Sequence, residues 1–213
     1  MLLALTDHLR CTGDHAETWL VAQADAVEDR RMVEGTLGCP VCRAERAVRG
    51  GVVWWSGPPA HIPADARPDL AGDALVRSGA LLAFADSRQP YVLCGAAGLA
   101  ANGLAAFADA PLVLLDPPDD RAAPFTTIVR AAPSVPFAAR SVRGALLDEA
   151  WASDAARLAS AVAALVAGGR LVAPAGVAVP AGVRELARDS AQWVGERVAD
   201  VVGITRGARG VRP

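Results

Sequence analysis

The sequence predicts an α/β chain: a small β-rich unit at the start, then a largely parallel sheet layered with helices. Three observations carry this prediction. From residue 69 onward, short Val/Leu-rich runs alternate with alanine-rich stretches of helical period, the pattern of strand–helix–strand crossovers. Before them, a Cys39-Pro40-Val41-Cys42 turn is flanked by β-forming segments. Between the two, Pro58, Pro59, Pro63 and Pro68 mark an extended linker. The expected division is therefore 1–57 for the first unit, 58–68 for the linker, 69–207 for the sheet domain and 208–213 for a tail.

Composition narrows the class. Of 213 residues, 53% are hydrophobic, which is enough for a large core and excludes a disordered chain. Only 5% are aromatic, so small side chains must do most of the packing. A net charge of −2, with no basic stripe, gives no field that would attract nucleic acid. The apolar opening Met1-Leu2-Leu3-Ala4-Leu5 is broken by Asp7, too early for a leader or a span, and no later run reaches the ~18 apolar residues that a membrane span needs. A soluble cytoplasmic protein without a membrane partner is expected. In that setting four cysteines read as metal ligands or buried thiols before disulfides.

In the first unit, an apolar segment from Leu2 to Leu9 leads to Cys11, and Glu17 to Ala22 is rich in β-formers. Asp25 to Arg31 reads as a turn or short helix, and Met32 to Leu37 as a strand running into the cysteine turn. Ala47-Val48-Arg49 and Val52-Val53-Trp54-Trp55 read as strands joined at Gly50-Gly51, with the two tryptophans on opposite faces. So small a unit gains from a structural metal. Two cysteines two residues apart at a Gly/Pro turn can aim both sulfurs at one ion, and Cys11 supplies a third. His15, in the same loop as Cys11, is the best fourth ligand for zinc; Asp14 and His8 are the alternatives. Three thiolates and an imidazole would fill a tetrahedron, so the zinc is expected to be structural.

The run Leu9-Arg10-Cys11 through Gly38-Cys39-Pro40-Val41-Cys42 to Gly50-Gly51-Val52-Val53 resembles the small zinc-binding proteins that activate tRNA and protein methyltransferases. It departs from them in having a single first cysteine, and Arg46-Ala47 where that family has Tyr-Pro. The resemblance covers about a quarter of the chain.

In the second unit, 69–86 reads as a helix, Tyr91 to Cys94 as a strand, Gly98 to Ala108 as a helix and Pro111 to Leu115 as a buried strand ending at Asp116. Thr126 to Arg130 and Gly144 to Asp148 read as strands. Ala155 to Ala167 reads as a helix capped by Gly168-Gly169, Arg170 to Ala173 as a strand and Val183 to Arg188 as a short helix. Gln192 to Val198 and Val201 to Arg206 read as a closing hairpin. A lone His61 in the linker and the tail arginines Arg206, Arg209 and Arg212 read as solvated.

A strand entering a Gly/Ala-rich turn and helix, a next strand ending in an acid, and a closing strand pair make this region resemble the Rossmann-like class I S-adenosylmethionine-dependent methyltransferases. That resemblance implies S-adenosylmethionine as cofactor. It puts Gly95 and Gly98 in the glycine turn, Asp116 on the ribose, Val135 and Pro136 near the adenine, and Asp148 at the carboxyl end of the fourth strand, where substrate meets the methyl group. The turn departs from the family pattern. Cys94 stands where an acid belongs, the glycine spacing differs, and an alanine where the family has glycine puts a methyl group where backbone and cofactor must approach closely. Cys94 itself reads as a small core residue. The reading is a zinc-binding protein whose methyltransferase-like domain, degenerate in the cofactor loop, serves as an interaction scaffold for a protein partner. The alternative is an active S-adenosylmethionine-dependent methyltransferase acting on an unidentified acceptor.

Overall fold

The computed structural model describes residues 1–57, 69–118 and 125–199. The linker 58–68 and the strand expected over 201–206 lie outside them. Among the described residues, eleven strands form one sheet.

The first four strands are antiparallel neighbours: β1 (Val21–Glu28), β2 (Arg31–Gly38), β3 (Glu45–Arg49) and β4 (Val52–Trp54). Gly50 and Gly51, at φ 56° and 78°, make the two-residue turn with positive φ that suits the twist of a hairpin. The same geometry at Asp29-Arg30, φ 45° and 62°, joins β1 to β2. The stretch 25–31, expected as a turn or short helix, is therefore mostly strand. Val21–Glu28 is largely exposed and has no inward-facing apolar alternation; its pairing with β2 makes it a strand.

The remaining strands are β5 (Tyr91–Cys94), β6 (Leu112–Leu115), β7 (Thr126–Arg130), β8 (Val142–Leu147), β9 (Leu165–Pro174), β10 (Val183–Arg188) and β11 (Gln192–Arg197). Their order, β7-β6-β5-β8-β9, runs parallel throughout. Counted from β5 this is 3-2-1-4-5, the Rossmann-like order, whose direction reverses between β5 and β8. Every residue of β5, β6 and β7 is buried, as a parallel sheet covered on both faces requires. Alternate residues feed two cores. Val92, Cys94, Val113 and Leu115 face one, with Trp55, Trp151 and Trp193. Tyr91, Leu93, Leu112 and Leu114 face the other, under the helices α1 (Gly72–Leu82) and α2 (Ala101–Ala105).

Three helical expectations change. The helix expected over 98–108 begins earlier, as a 3-10 turn over Gly95–Ala100 that runs into α2. Of the two remaining helices, α3 (Glu149–Ala152) and α4 (Ala155–Ala164), the second ends three residues short of Ala167. Arg140 and Ser141 donate backbone N–H groups to the Ala163 and Ala164 carbonyls, so tertiary donors close the helix and Gly168-Gly169 falls inside β9. Val183–Arg188 is the edge strand β10, not a helix, because β11 supplies it with an antiparallel partner.

The first unit and the parallel sheet are continuous. β4 pairs in parallel with β7, Val53 beside Val129 and Trp54 beside Arg130. Met32, Leu37, Val48 and Val53 share a core with Val92 and Val113. The boundary drawn at residue 57 falls just past β4, while the strands on its two sides share one sheet. Among the described residues no helix is long and apolar enough to cross a membrane.

Candidate functional site

The cysteine turn hangs from the end of the β2–β3 hairpin. Ala47 pairs with Trp54 at the carboxyl end of β4, and Gly38 with Glu45 two residues beyond, so residues 39–44 sit at the sheet edge where the parallel strands also end. Arg43 donates its N–H to the Cys39 carbonyl (3.0 Å) and adopts φ 59°, which closes a tight turn. Cys11 approaches from the N-terminal segment, where Trp55 Nε1 donates to the hydroxyl of the neighbouring Thr12 (3.0 Å).

The ligand atoms of Cys11, His15, Cys39 and Cys42 lie within 4.8 Å of one another. Neither Asp14 nor His8 joins them. Cys11 Sγ is 3.6 Å from Cys42 Sγ, and Cys39 Sγ is 3.4 Å from His15 Nε2. A tetrahedron with metal–sulfur bonds of about 2.3 Å and a metal–nitrogen bond of about 2.0 Å has edges of about 3.8 and 3.5 Å, so the set fits a zinc-sized ion. His15 Nδ1 lies 2.8 Å from the Ala16 carbonyl, the bond that fixes the tautomer leaving Nε2 as the ligand atom.

Backbone N–H groups prepare the sulfurs. That of Gly13 points at Cys11 Sγ (3.3 Å). Burial would raise the Cys39 thiol, but the N–H groups of Cys42 and Val41 outweigh it and bring it below its ordinary value. The Ala44 N–H lowers Cys42. Burial and the two neighbouring thiols raise Cys11, although the Gly13 N–H opposes them. Cys94 lies outside this set: it is fully buried at the end of β5, and burial pushes its thiol up, with Asp148 and Asp116 adding.

The second group of expected residues surrounds the reversal between β5 and β8, where a doubly wound sheet offers its ligand crevice. Gly95 follows β5 at φ 60°. Asp148 follows β8 and caps α3, accepting the Trp151 N–H at 3.0 Å. Its other oxygen accepts the Ala96 N–H at 2.9 Å, so one carboxylate bridges the mouth of the crevice. A Cβ on Gly95 would lie 1.9 Å from Asp148 Oδ2. Asp148 is thus a brace in the glycine turn.

The neighbouring slot is also filled. Gly98 is buried against Pro117, whose Cβ would be 2.9 Å from a Cβ added at Gly98. Arg130, buried, donates to the Pro117 carbonyl. Asp116, at φ 49°, accepts the Ala131 N–H at 2.6 Å. Burial raises its carboxyl, while that N–H and the charges of Arg130 and Arg157 oppose the rise. Val135 is buried, its N–H on Ser160 Oγ (3.0 Å), and the Pro136 carbonyl accepts the Arg10 N–H. Of the residues expected around an adenosyl cofactor, Gly95 and Asp148 contact each other, while Gly98, Asp116, Val135 and Pro136 are engaged by Pro117, Ala131, Ser160 and Arg10.

Sequence reasoning missed the packing of Pro117 on Gly98 and the role of Ala96, because both act through pairings distant in the chain. No protein-family model and no curated protein matches the chain. Among solved structures it is similar to the antibiotic-resistance methyltransferase Kmr, at 15% identity, 61% of this chain, 95% of that chain and a TM-score of 0.40. It is also similar to the putative methyltransferase YhhF from Escherichia coli, at 17% identity, 68% of this chain, 94% of that chain and a TM-score of 0.39. At these TM-scores the likenesses say nothing of this chain's own chemistry.

Proposed function

We propose that this chain is a zinc-containing binding protein in which a Rossmann-like sheet acts as a scaffold for a protein partner and does not transfer methyl groups. The observation that carries this reading is the Asp148 carboxylate bridging the crevice to the Ala96 N–H, over a glycine with no room for a side chain. The turn that would receive an adenosyl ligand is instead braced by the chain's own carboxylate, and Gly98 packs against Pro117. The zinc belongs to the scaffold. Cys11, His15, Cys39 and Cys42 fill its tetrahedron, leaving no position for a substrate or an activated water. Its contribution is folding free energy and a fixed geometry for the turn.

A second reading keeps one observation of its own. Asp116 stands at the carboxyl end of β6, where an acid would meet a ribose, so a crevice that opened would make an S-adenosylmethionine-dependent methyltransferase. Calorimetric titration of the zinc-loaded protein with S-adenosylmethionine and S-adenosylhomocysteine separates the two. The scaffold reading expects no heat of binding at millimolar ligand. Micromolar binding that Asp116→Ala abolishes would overturn it in favour of the enzyme.

A further inference from the structure

The metal loop does not end at its ligands. Two hydrogen-bonded routes lead from it to the connection between β7 and β8, which borders the crevice. On the first, residues 8–10 run beside 136–138: Leu9 bridges to Phe137, the Arg10 N–H donates to the Pro136 carbonyl (3.1 Å), and the Ala138 N–H donates to the His8 carbonyl (2.8 Å). Glu17, two residues after His15, fastens the far end. Its Oε2 accepts both the Arg10 guanidinium (2.7 Å) and the Ala139 N–H (3.1 Å). On the second, Thr12 accepts from the Trp55 indole, the Trp55 N–H donates to the Arg130 carbonyl (2.8 Å), and the next residue, Ala131, donates to Asp116. Cys11 is continuous with both routes, since Arg10 and Thr12 flank it.

We propose that the metal centre is coupled to the crevice wall: zinc on Cys11 and His15 holds residues 130–139 in place through Glu17 and Trp55, and its loss loosens that wall. This rests on the zinc reading above. A loop that carries two of four ligands is ordered by the ion, and a segment that takes its backbone partners from that loop loses them when the loop frays. Coupling of this kind is reciprocal, so weakening the wall must also weaken the hold on the metal.

The test uses the full chain. Zinc content is measured first, and hydrogen exchange is then compared between zinc-loaded and chelated protein. Residues 8–20 and 130–139 should lose protection together on chelation, β9 and β11 should keep theirs, and added zinc should restore the loss. Glu17→Ala and Trp55→Phe, neither of them a ligand, should weaken zinc retention against a competing chelator by roughly fivefold or more. The inference is overturned if 130–139 stay protected while 8–20 open, or if both variants hold zinc like the parent chain. If chelation unfolds the whole chain, the two variants decide alone. A chain that takes up no zinc at all fails at the first measurement and sinks the metal reading itself.

Discussion

A double-mutant cycle on Gly95 and Asp148 reads the closure of the crevice as an energy. Asp148→Ala removes an N-cap from α3, costing about 1 kcal/mol. It also removes the charge-assisted bond to the Ala96 N–H, near the surface, for about 1 kcal/mol more. Gly95→Ala places a left-handed alanine at φ 60°, at about 1 kcal/mol, and puts a methyl group 1.9 Å from Asp148 Oδ2. The carboxylate must leave, so the roughly 2 kcal/mol of its two bonds is lost as well, about 3 kcal/mol in all. The two changes destroy the same interaction. The double variant should therefore cost about 3 kcal/mol where simple addition gives about 5, a coupling of about 2 kcal/mol. Urea unfolding of the four proteins at neutral pH, compared through their midpoints, measures it. Gly50→Ala is the control: it also sits at positive φ, 56°, with nothing within 4 Å of an added Cβ, and should cost about 1 kcal/mol and add to Asp148→Ala without coupling. Strict additivity for Gly95 and Asp148 would refute the closed crevice.

Other expectations follow from the same geometry. Serine at Cys11, Cys39 or Cys42, or alanine at His15, should lower zinc content measured by elemental analysis, whereas Asp14→Ala and His8→Ala should leave it unchanged. Cys94→Ala should also keep its zinc and lose only about 1 kcal/mol of core packing. Burial raises the Asp116 carboxyl, so the folded state holds that proton more tightly than the unfolded chain does. Ionised Asp116 then works against folding above the unfolded carboxyl range and not below it. Asp116→Asn, which retains an acceptor for the Ala131 N–H, should be more stable than the parent at pH 7. That advantage should vanish by about pH 3, as denaturant midpoints at the two pH values would show.

The parts legible in the sequence are those that local chemistry dictates. Cys39 and Cys42 share a turn, and Cys11 and His15 share a loop, so the ligand set could be named before their meeting was seen. β5, β6 and β7 are buried throughout; the apolar runs of β5 and β6 and the β-branched residues of β7 announced them. The edge strands β1 and β10 could not be read, because their residues are mostly exposed and only the neighbouring strand makes them extended. The β4–β7 pairing joins Val53 to Val129 across the supposed linker and carries no local mark. The same holds for the bond from Ala96 to Asp148, 52 residues apart, which makes an expected substrate residue a brace of the glycine turn.

The central claim, that the chain folds around a three-cysteine, one-histidine zinc centre beside a closed crevice, is tested most directly by X-ray absorption at the zinc edge on purified protein. The account predicts one zinc per chain with three sulfurs at about 2.3 Å and one nitrogen at about 2.0–2.1 Å. A chain without zinc, or a first shell of oxygen and nitrogen lacking the three sulfurs, would contradict it.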